Sequence, residues 1–261
     1  MLKSIFVLVF ILIGVNYAYA DQIFTTLRSD ANNTIFDGKW TFLQEWKSTS
    51  EDKITFDDST EMVIKTGHDY ENLYVLIDFI GDTSVGKFAD NGIVCIDSKI
   101  DQSKIPDKND FCFVAIMGSS RSKTLQGGDM LAQTGHWQRI ENHPKLITVG
   151  GISDKNDRYS HIPHATYEFK IPLEIVGKSD MYGFYVGAFD AKSGKEYSWP
   201  PNIAKDTYPF VPAPEKWGQI ISPDKSIPEF NFPILILLSI IIVIFLKNLS
   251  KSKIAYNVFI E

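Results

Sequence analysis

Hydrophobic and polar residues alternate in short runs through the middle of the chain. The clearest run is residues 166–171, where an aromatic or aliphatic side chain follows each polar one. Four further runs are rich in β-branched and aromatic residues, at positions 73–79, 92–97, 110–117 and 181–189. This composition and a period of two are typical of β-strands.

Turn-forming residues separate these runs, and no long segment of the middle keeps the 3.6-residue period of an α-helix. Residues 40–47 are expected to form one or two helical turns. Several short strands with turns between them predict an all-β fold, an antiparallel β-sandwich that fills residues 21–221.

The N-terminus has the pattern of a secretory signal peptide. Lys3 provides a positive start, an apolar run follows, and Ala18-Tyr19-Ala20 fits a small-x-small cleavage site. The pattern predicts that residues 1–20 are removed on export. The alternative is an uncleaved membrane helix.

A second apolar run near the C-terminus predicts a transmembrane helix at residues 230–249. Lys247, Lys251 and Lys253 lie in or just after it, so the positive-inside rule places residues 250–261 in the cytoplasm. The sandwich is then extracellular, on a stalk of residues 222–229 and a single membrane span. The alternatives are a buried core helix, or a helix that is removed, because residues 228–230 resemble archaeal surface-protein sorting signals.

Charge excludes one class of partner. The chain has 26 Lys and Arg residues against 32 Asp and Glu residues, a net charge of −6, and no basic cluster in its middle. Nucleic-acid binding needs a basic patch or stripe, so nucleic acid is not an expected partner.

One hairpin is predicted in register. If residues 98–109 form the loop, Asp97 lies opposite Asp110 and Cys95 lies opposite Cys112. Directly opposed cysteines are within reach of a disulfide, and export allows their oxidation. The alternative is a pair of small buried hydrophobic residues.

The same hairpin concentrates carboxylates at one turn. Asp97, Asp101, Asp107 and Asp110 surround the loop. Oxygen ligands in this number suit a hard cation, so calcium is an expected cofactor there. A solvated acidic loop is the alternative.

Several motifs in order resemble family 9 carbohydrate-binding modules and their relatives in the DOMON-like superfamily. Each motif is short, but together they extend over residues 37–220. The segments are Asp37-Gly38-Lys39-Trp40 with Glu45-Trp46, Asp69–Leu76, Val94–Asp97 with Asn109–Phe111, Tyr167–Leu173, Gly183–Val186, Phe189–Ala191, Gly194, Trp199-Pro200 and Trp217-Gly218.

The resemblance implies a β-sandwich of jelly-roll or immunoglobulin-like shape that binds a ligand and does not catalyse a reaction. Some relatives hold sugars between aromatic rings, with calcium supporting the loops. Others hold haem b, such as the cytochrome domain of cellobiose dehydrogenase and the haem subunit of ethylbenzene dehydrogenase. The fold alone does not choose between them.

Sugar binding requires flat aromatic faces. Trp137, Trp199 and Tyr208 lie in segments outside the predicted strands, so they are the candidate ligand-binding residues. Trp199 has an alternative role as a cap on the sandwich core. Trp40 and Trp46 are expected to pack in the interior.

Haem b is the alternative cofactor, and it needs two axial ligands. The chain has no Cys-x-x-Cys-His motif, which excludes covalent c-type attachment. The candidate axial ligands are Met62, Met117, Met130, His68, His136, His143, His161 and His164.

Catalytic motifs are absent from the sequence, which contains no Gly-x-Ser-x-Gly, His-Glu-x-x-His or phosphate-binding loop. The sequence therefore predicts a membrane-anchored extracellular binding module for carbohydrate or cell-surface glycan, with any enzyme or envelope partner on a separate chain. The alternatives are a haem b electron-transfer domain and a structural envelope protein.

Overall fold

The computed structural model describes residues 22–30, 33–42, 44–129, 135–205 and 210–226. Within these ranges the secondary structure is almost entirely β. The strands are β1 (Ile23–Thr25), β2 (Leu27–Arg28), β3 (Ser50–Thr55), β4 (Glu61–His68), β5 (Asn72–Phe79), β6 (Asn91–Asp97), β7 (Asp110–Ile116), β8 (Lys123–Gln126), β9 (Gln138–Ile140), β10 (Ile147–Ile152), β11 (Ala165–Pro172), β12 (Met181–Asp190), β13 (Lys195–Trp199) and β14 (Gly218–Ile221). The α-helices are α1 (Leu173–Val176) and α2 (Pro223–Ser226), and a 3-10 helix lies at Pro214–Lys216.

The strands form two sheets with a hydrophobic core between them. The eight-stranded sheet has the order β1-β14-β12-β6-β7-β8-β9, with β13 paired to β12. The six-stranded sheet has the order β10-β11-β5-β4-β2, with β3 paired to β4. The all-β sandwich predicted from the sequence is confirmed, and all five predicted strands are present.

The sheets are mixed, so the prediction of a purely antiparallel sandwich is wrong at two edges. Strand β1 runs parallel to β14, with Ile23 opposite Gln219, and β2 runs parallel to β4, with Leu27 opposite Gly67. Neither pair is joined by a hairpin, and only a tight hairpin forces neighbouring strands to run antiparallel. Residues 23–28 therefore contribute one strand to each sheet.

Alternation fixes which side chains enter the core. In β5, Val75 and Ile77 point inward, and Tyr167 and Phe169 do so in β11. Trp199, at the end of β13, is buried in the same core. The predicted inward face of residues 166–171 is confirmed.

The opposite face of β11 is also buried, although its polar residues predict exposure to solvent. Residues 33–42 and 44–49 cover it, and the Glu168 carboxylate accepts the Gly38 N–H at 2.7 Å and the Trp46 Nε1–H at 3.1 Å. Burial raises the pKa of Glu168 to about 8 even though these hydrogen bonds lower it. Trp40 and Trp46 are buried, as predicted, but residues 44–48 form turns instead of helix.

The outer face of the eight-stranded sheet carries a second apolar cluster. It is built around the Cys95–Cys112 disulfide, whose α-carbons are 4.1 Å apart in directly opposed positions of β6 and β7. Both the predicted hairpin register and the predicted disulfide are confirmed. The other buried residues of the cluster are Ile93, Val114, Leu125, Trp137, Tyr185, Val211 and Trp217.

The first residues of the predicted stalk lie against the sandwich. Ser222 is buried, and its Oγ lies 2.8 Å from His68 Nε2, while Asp224 accepts the Arg28 N–H at 2.8 Å. The predicted signal peptide, membrane helix and cytoplasmic tail lie outside the described residues. In the part of the chain that is described, no helix has the length and apolar character needed to cross a bilayer.

Candidate functional site

A groove of about 240 Å³ opens on the outer face of the eight-stranded sheet, beside the disulfide cluster. Its floor consists of outward-facing side chains of the three strands β6, β7 and β8. Its walls come from residues 88–91, Phe189 and Phe210. The lining residues are Phe88, Ala89, Asn91, Ile93, Val114, Ile116, Lys123, Leu125, Phe189 and Phe210.

Three phenylalanine rings stand at this groove. Phe189 and Phe210 stack with ring centroids 4.5 Å apart and planes inclined by 14°. Phe88 is 66% exposed, and Lys87 Nζ lies 5.2 Å from its ring centroid. Phe88 and Phe210 both have a φ of 65°, in the left-handed region that aromatic residues rarely adopt. Such backbone conformations concentrate at functional sites.

A buried carboxyl group lies on the same face of the sheet. Glu196 is directly opposite Phe189 in the β12–β13 pair. Gly187 leaves room for it, because a Cβ there would lie 3.0 Å from Ile93 Cγ2 and 3.1 Å from Glu196 Cδ. Glu196 Oε2 is buried without a hydrogen-bond partner, and desolvation raises the pKa of this group to about 8. Burial therefore favours the neutral, protonated form of this carboxyl.

Three aspartates cluster behind the groove. One carboxylate oxygen from each of Asp82, Asp90 and Asp190 lies within 4.8 Å of the other two. Asp90 accepts the Ala191 N–H at 2.9 Å and also the Gly86 N–H. Asp82 Oδ2 is buried without a partner, and no ion pair to a basic side chain involves these aspartates among the described residues.

The electrostatics of this cluster favour a cation. Desolvation, and then the nearby Asp90 carboxylate, raise the pKa of Asp82 to about 6. Asp90 is flanked by the groove residues Ala89 and Asn91, and Asp190 directly follows Phe189. A cation bound between the aspartates would therefore tie the two walls of the groove together.

A different cluster combines Asp78, Asp157 and His164, all of them buried. Asp78 lies on the outer face of the six-stranded sheet, His164 directly precedes β11, and Asp157 belongs to the loop that joins β10 to β11. His164 Nε2 contacts Asp78 Oδ1 and lies 4.0 Å from Asp157 Oδ1. Burial lowers the pKa of His164, but Asp78, the Ile162 carbonyl and Asp157 together raise it by more.

The neighbouring Ser153 gives this cluster the residue types of a hydrolase triad but not its chemistry. Ser153 Oγ lies 2.8 Å from His164 Nδ1 and accepts the His164 backbone N–H at 3.0 Å. The Nδ1 atom also lies 2.7 Å from the Ile162 carbonyl oxygen, which can only accept a hydrogen bond. Nδ1 therefore carries a proton and cannot act as a base toward this buried serine.

The predicted sugar-binding aromatic residues do not form an exposed platform. Trp137 is 3% exposed and stacks on Trp217, with ring centroids 6.4 Å apart. Trp199 is 4% exposed, packs edge-on against Phe24, and donates its Nε1–H to Asp52. This position corresponds to the alternative role, a cap on the core. Tyr208 lies outside the described residues.

The predicted calcium loop is organised by its own backbone. Asp97 accepts the N–H groups of Lys99 and Ile100 at 2.9 and 2.8 Å. Asp110 accepts the Asp107 N–H at 2.7 Å, and Asp101 accepts a hydrogen bond from an Asn109 side-chain N–H. Burial raises the pKa of Asp110 to about 7. Among the described residues, the groups of three close metal-ligating atoms are the two clusters above, and this loop is not one of them.

The candidate haem ligands are dispersed. Met62 and Met117 lie in the core between the sheets, and His164 belongs to the buried aspartate cluster. His143 pairs with the exposed Glu174, and His161 is exposed. Met130 lies outside the described residues.

Sequence reasoning missed the residues that line the groove and form both aspartate clusters. Two features of the sequence bear on these residues. Phe189 and Asp190 belong to the Phe189–Ala191 motif of the family resemblance, and strand alternation places Phe189 on the face of β12 that points away from the core, unlike Ala188. Asp82 and Asp90 bracket a turn-forming stretch, but their sequence positions do not show that they meet Asp190.

Solved structures similar to this chain include two of a family 9 carbohydrate-binding module from Caldicellulosiruptor kristjanssonii. The module in complex with cellotriose has a TM-score of 0.49 and 13% identity, and the match covers 80% of this chain and 100% of that one. The module in complex with glucose has a TM-score of 0.47 and 14% identity, and the match covers 77% and 95%. No protein-family model and no curated protein matches the chain.

Proposed function

We propose that the protein is a non-catalytic binding module for carbohydrate or glycan and that the groove is its binding site. One observation carries the proposal: the exposed ring of Phe88 and the stacked, half-buried rings of Phe189 and Phe210 line a preformed apolar groove. Ligand sites combine apolar and aromatic lining with a few polar groups that fix orientation.

The chemistry of the groove suits a neutral sugar. The exposed ring of Phe88 offers a flat face for the apolar side of a pyranose. The Asn91 amide lines the groove, and Glu196 lies on the same face beside Ile93. The Asn91 amide offers both a donor and an acceptor to sugar hydroxyls.

Calcium is proposed at Asp82, Asp90 and Asp190 instead of the predicted loop at residues 97–110. Calcium takes several oxygen ligands, often from carboxylates and backbone carbonyls. The unpartnered, buried Asp82 Oδ2 supports a ligand at this position. The ion would hold the loop before β6 against the turn after β12. It would therefore support the shape of the groove without binding the sugar directly.

The proposed setting is the outside of the cell, with a single membrane helix at residues 230–249. It is supported by the signal-peptide pattern at residues 1–20 and by the lysines that follow the second apolar run. An enzyme or an envelope component on another chain remains the expected partner of the module.

The test is a calorimetric titration of the protein with a panel of soluble oligosaccharides in the presence of calcium. Phe88→Ala should weaken the binding of the responding sugar about tenfold, as expected for the loss of about 1.4 kcal/mol of ring contact. Phe42→Ala is the matched control, because Phe42 is an exposed phenylalanine outside the groove. No saturable binding to any sugar, or equal effects of the two substitutions, would contradict the proposal.

A further inference from the structure

The Asp78–Asp157–His164 cluster is not used by the proposed binding function. Its members come from three places in the chain, and their side chains are 0%, 1% and 0% exposed for Asp78, Asp157 and His164. Three ionisable side chains excluded from water need mutual compensation, because an unpaired buried charge is strongly unfavourable.

Hydrogen bonding fixes which atom of the histidine faces the carboxylates. The Ile162 carbonyl and Ser153 Oγ both lie at His164 Nδ1, so that nitrogen carries a proton. Nε2 is left pointing at Asp78 and Asp157. Metal-binding histidines have this arrangement, in which one ring nitrogen donates to a backbone carbonyl and the other binds the ion.

Two carboxylate oxygens in the cluster have no partner. Asp78 Oδ2 and Asp157 Oδ2 are buried and make no hydrogen bond. The other oxygen of Asp157 accepts the N–H groups of Tyr159 and Ser160 at 2.8 and 3.1 Å, which fixes the carboxylate in its orientation. Unsatisfied buried polar atoms are rare in native proteins and indicate a missing ion or water.

The charge of the cluster is also incomplete. A protonated His164 supplies one positive charge against two carboxylates, so one negative charge remains. The positive charge of Lys65 lowers the pKa of Asp78, but the Lys65 Nζ already forms an ion pair with Glu51 at 2.8 Å. The Arg158 guanidinium lies over the Trp40 ring, 5.8 Å from its centroid. A divalent cation bound to a neutral imidazole and two carboxylates would leave no net charge.

We propose that Asp78, Asp157 and His164 form a buried binding site for one divalent transition-metal ion, with zinc as the best fit. An imidazole nitrogen with two carboxylates suits zinc, whereas calcium takes oxygen ligands. The unpartnered Oδ2 atoms are available to complete the coordination. The ion ties the loop between β10 and β11 to the outer face of β5, so its role is structural, and it is independent of the groove on the other sheet.

The test uses the full chain, stripped of metal with a chelator and titrated calorimetrically with zinc chloride. The wild type should bind one zinc ion per chain with a rise in Tm. Asp157→Asn should weaken zinc binding more than about 100-fold, beyond the 10–100-fold cost of changes around a metal site's ligands. The matched control is Asp154→Asn in the same loop, where the exposed Asp154 pairs with Lys39. This variant should bind zinc like the wild type.

The proposal is overturned if the wild type shows no saturable one-to-one zinc binding, or if the two asparagine variants bind zinc equally. Circular dichroism checks that Asp157→Asn is folded. If Asp157→Asn is not folded, a cobalt(II) titration of the wild type decides the question. Visible d–d bands that disappear on addition of one equivalent of zinc support the site, and the absence of such bands overturns the proposal.

Discussion

Phe189 and Phe210 stack with ring centroids 4.5 Å apart, and the pair forms one wall of the groove. Phe189→Leu keeps an apolar side chain of similar size but removes the flat face. The free energy of unfolding should change by less than about 1.5 kcal/mol, while affinity for the bound sugar falls several-fold. Urea denaturation and calorimetry measure the two effects separately. A variant that binds like the wild type would show that the Phe189 ring does not contact the sugar.

Calcium removal distinguishes the two acidic sites on the eight-stranded sheet. In the wild type kept with one equivalent of zinc, dialysing calcium away should lower both Tm and sugar affinity, because an ion at 100 times its Kd stabilises the folded state by about 2.7 kcal/mol. Asp90→Asn should abolish this response. Asp101→Asn, which changes the predicted loop instead, should leave it intact. If Asp101→Asn abolishes the response and Asp90→Asn does not, the calcium site is the loop at residues 97–110.

Glu196 should make stability fall as pH rises. Its folded-state pKa is about 8 against a reference value of 4.5, so the folded state holds a proton that the unfolded state releases between these values. The stabilisation is fully present below pH 4.5 and is lost as pH rises toward 8. Glu196→Gln cannot ionise and should show a flatter dependence between pH 5 and 8, by on the order of 3 kcal/mol.

The measurement for Glu196 is urea denaturation at several pH values in that interval. Glu215→Gln, at an exposed position, is the control and should keep the wild-type slope. If the slope of Glu196→Gln equals that of the wild type, the carboxyl is ionised and solvated in the folded state.

The disulfide should contribute substantially to stability. The bridge closes a loop with a sequence separation of 17, for which the chain-entropy relation gives about 3 kcal/mol. Replacing both Cys95 and Cys112 with alanine should lower the free energy of unfolding by about that amount. A reducing agent should destabilise the wild type and leave the double variant unchanged. Equal stability of the two proteins would mean that the loop is already ordered in the unfolded state.

The register of one hairpin was predictable because the information is local. Alternation along residues 92–97 and 110–117, together with one loop, places Cys95 opposite Cys112. The inward face of β11 was predictable for the same reason, since a period of two assigns faces without knowledge of the rest of the chain. The outward face of β11 was not predictable, because the residues that cover it, 33–42 and 44–49, are distant from β11 in sequence.

The candidate sites were also hard to predict, because contacts between distant segments form them. Tryptophan in a loop suggests a binding platform, but Trp137 and Trp199 are large apolar side chains and the fold buries both. The groove instead uses phenylalanines whose exposure depends on how the loop before β6 and the residues around Phe210 meet. Strand pairing brings β12 and β6 together, and no pattern within either segment specifies that pairing.

The sequence by itself determined the all-β class, the inward faces of the main strands, the Cys95–Cys112 pair and the absence of known catalytic motifs. These properties depend on periodicity and short spacings. The tertiary structure alone decided the parallel edge pairs, the groove and both aspartate clusters. Asp78 and His164 are 86 positions apart, and only the pairing of β5 with β11 brings them into contact. Such sites arise from long-range strand order, which is set by the packing of the whole sandwich.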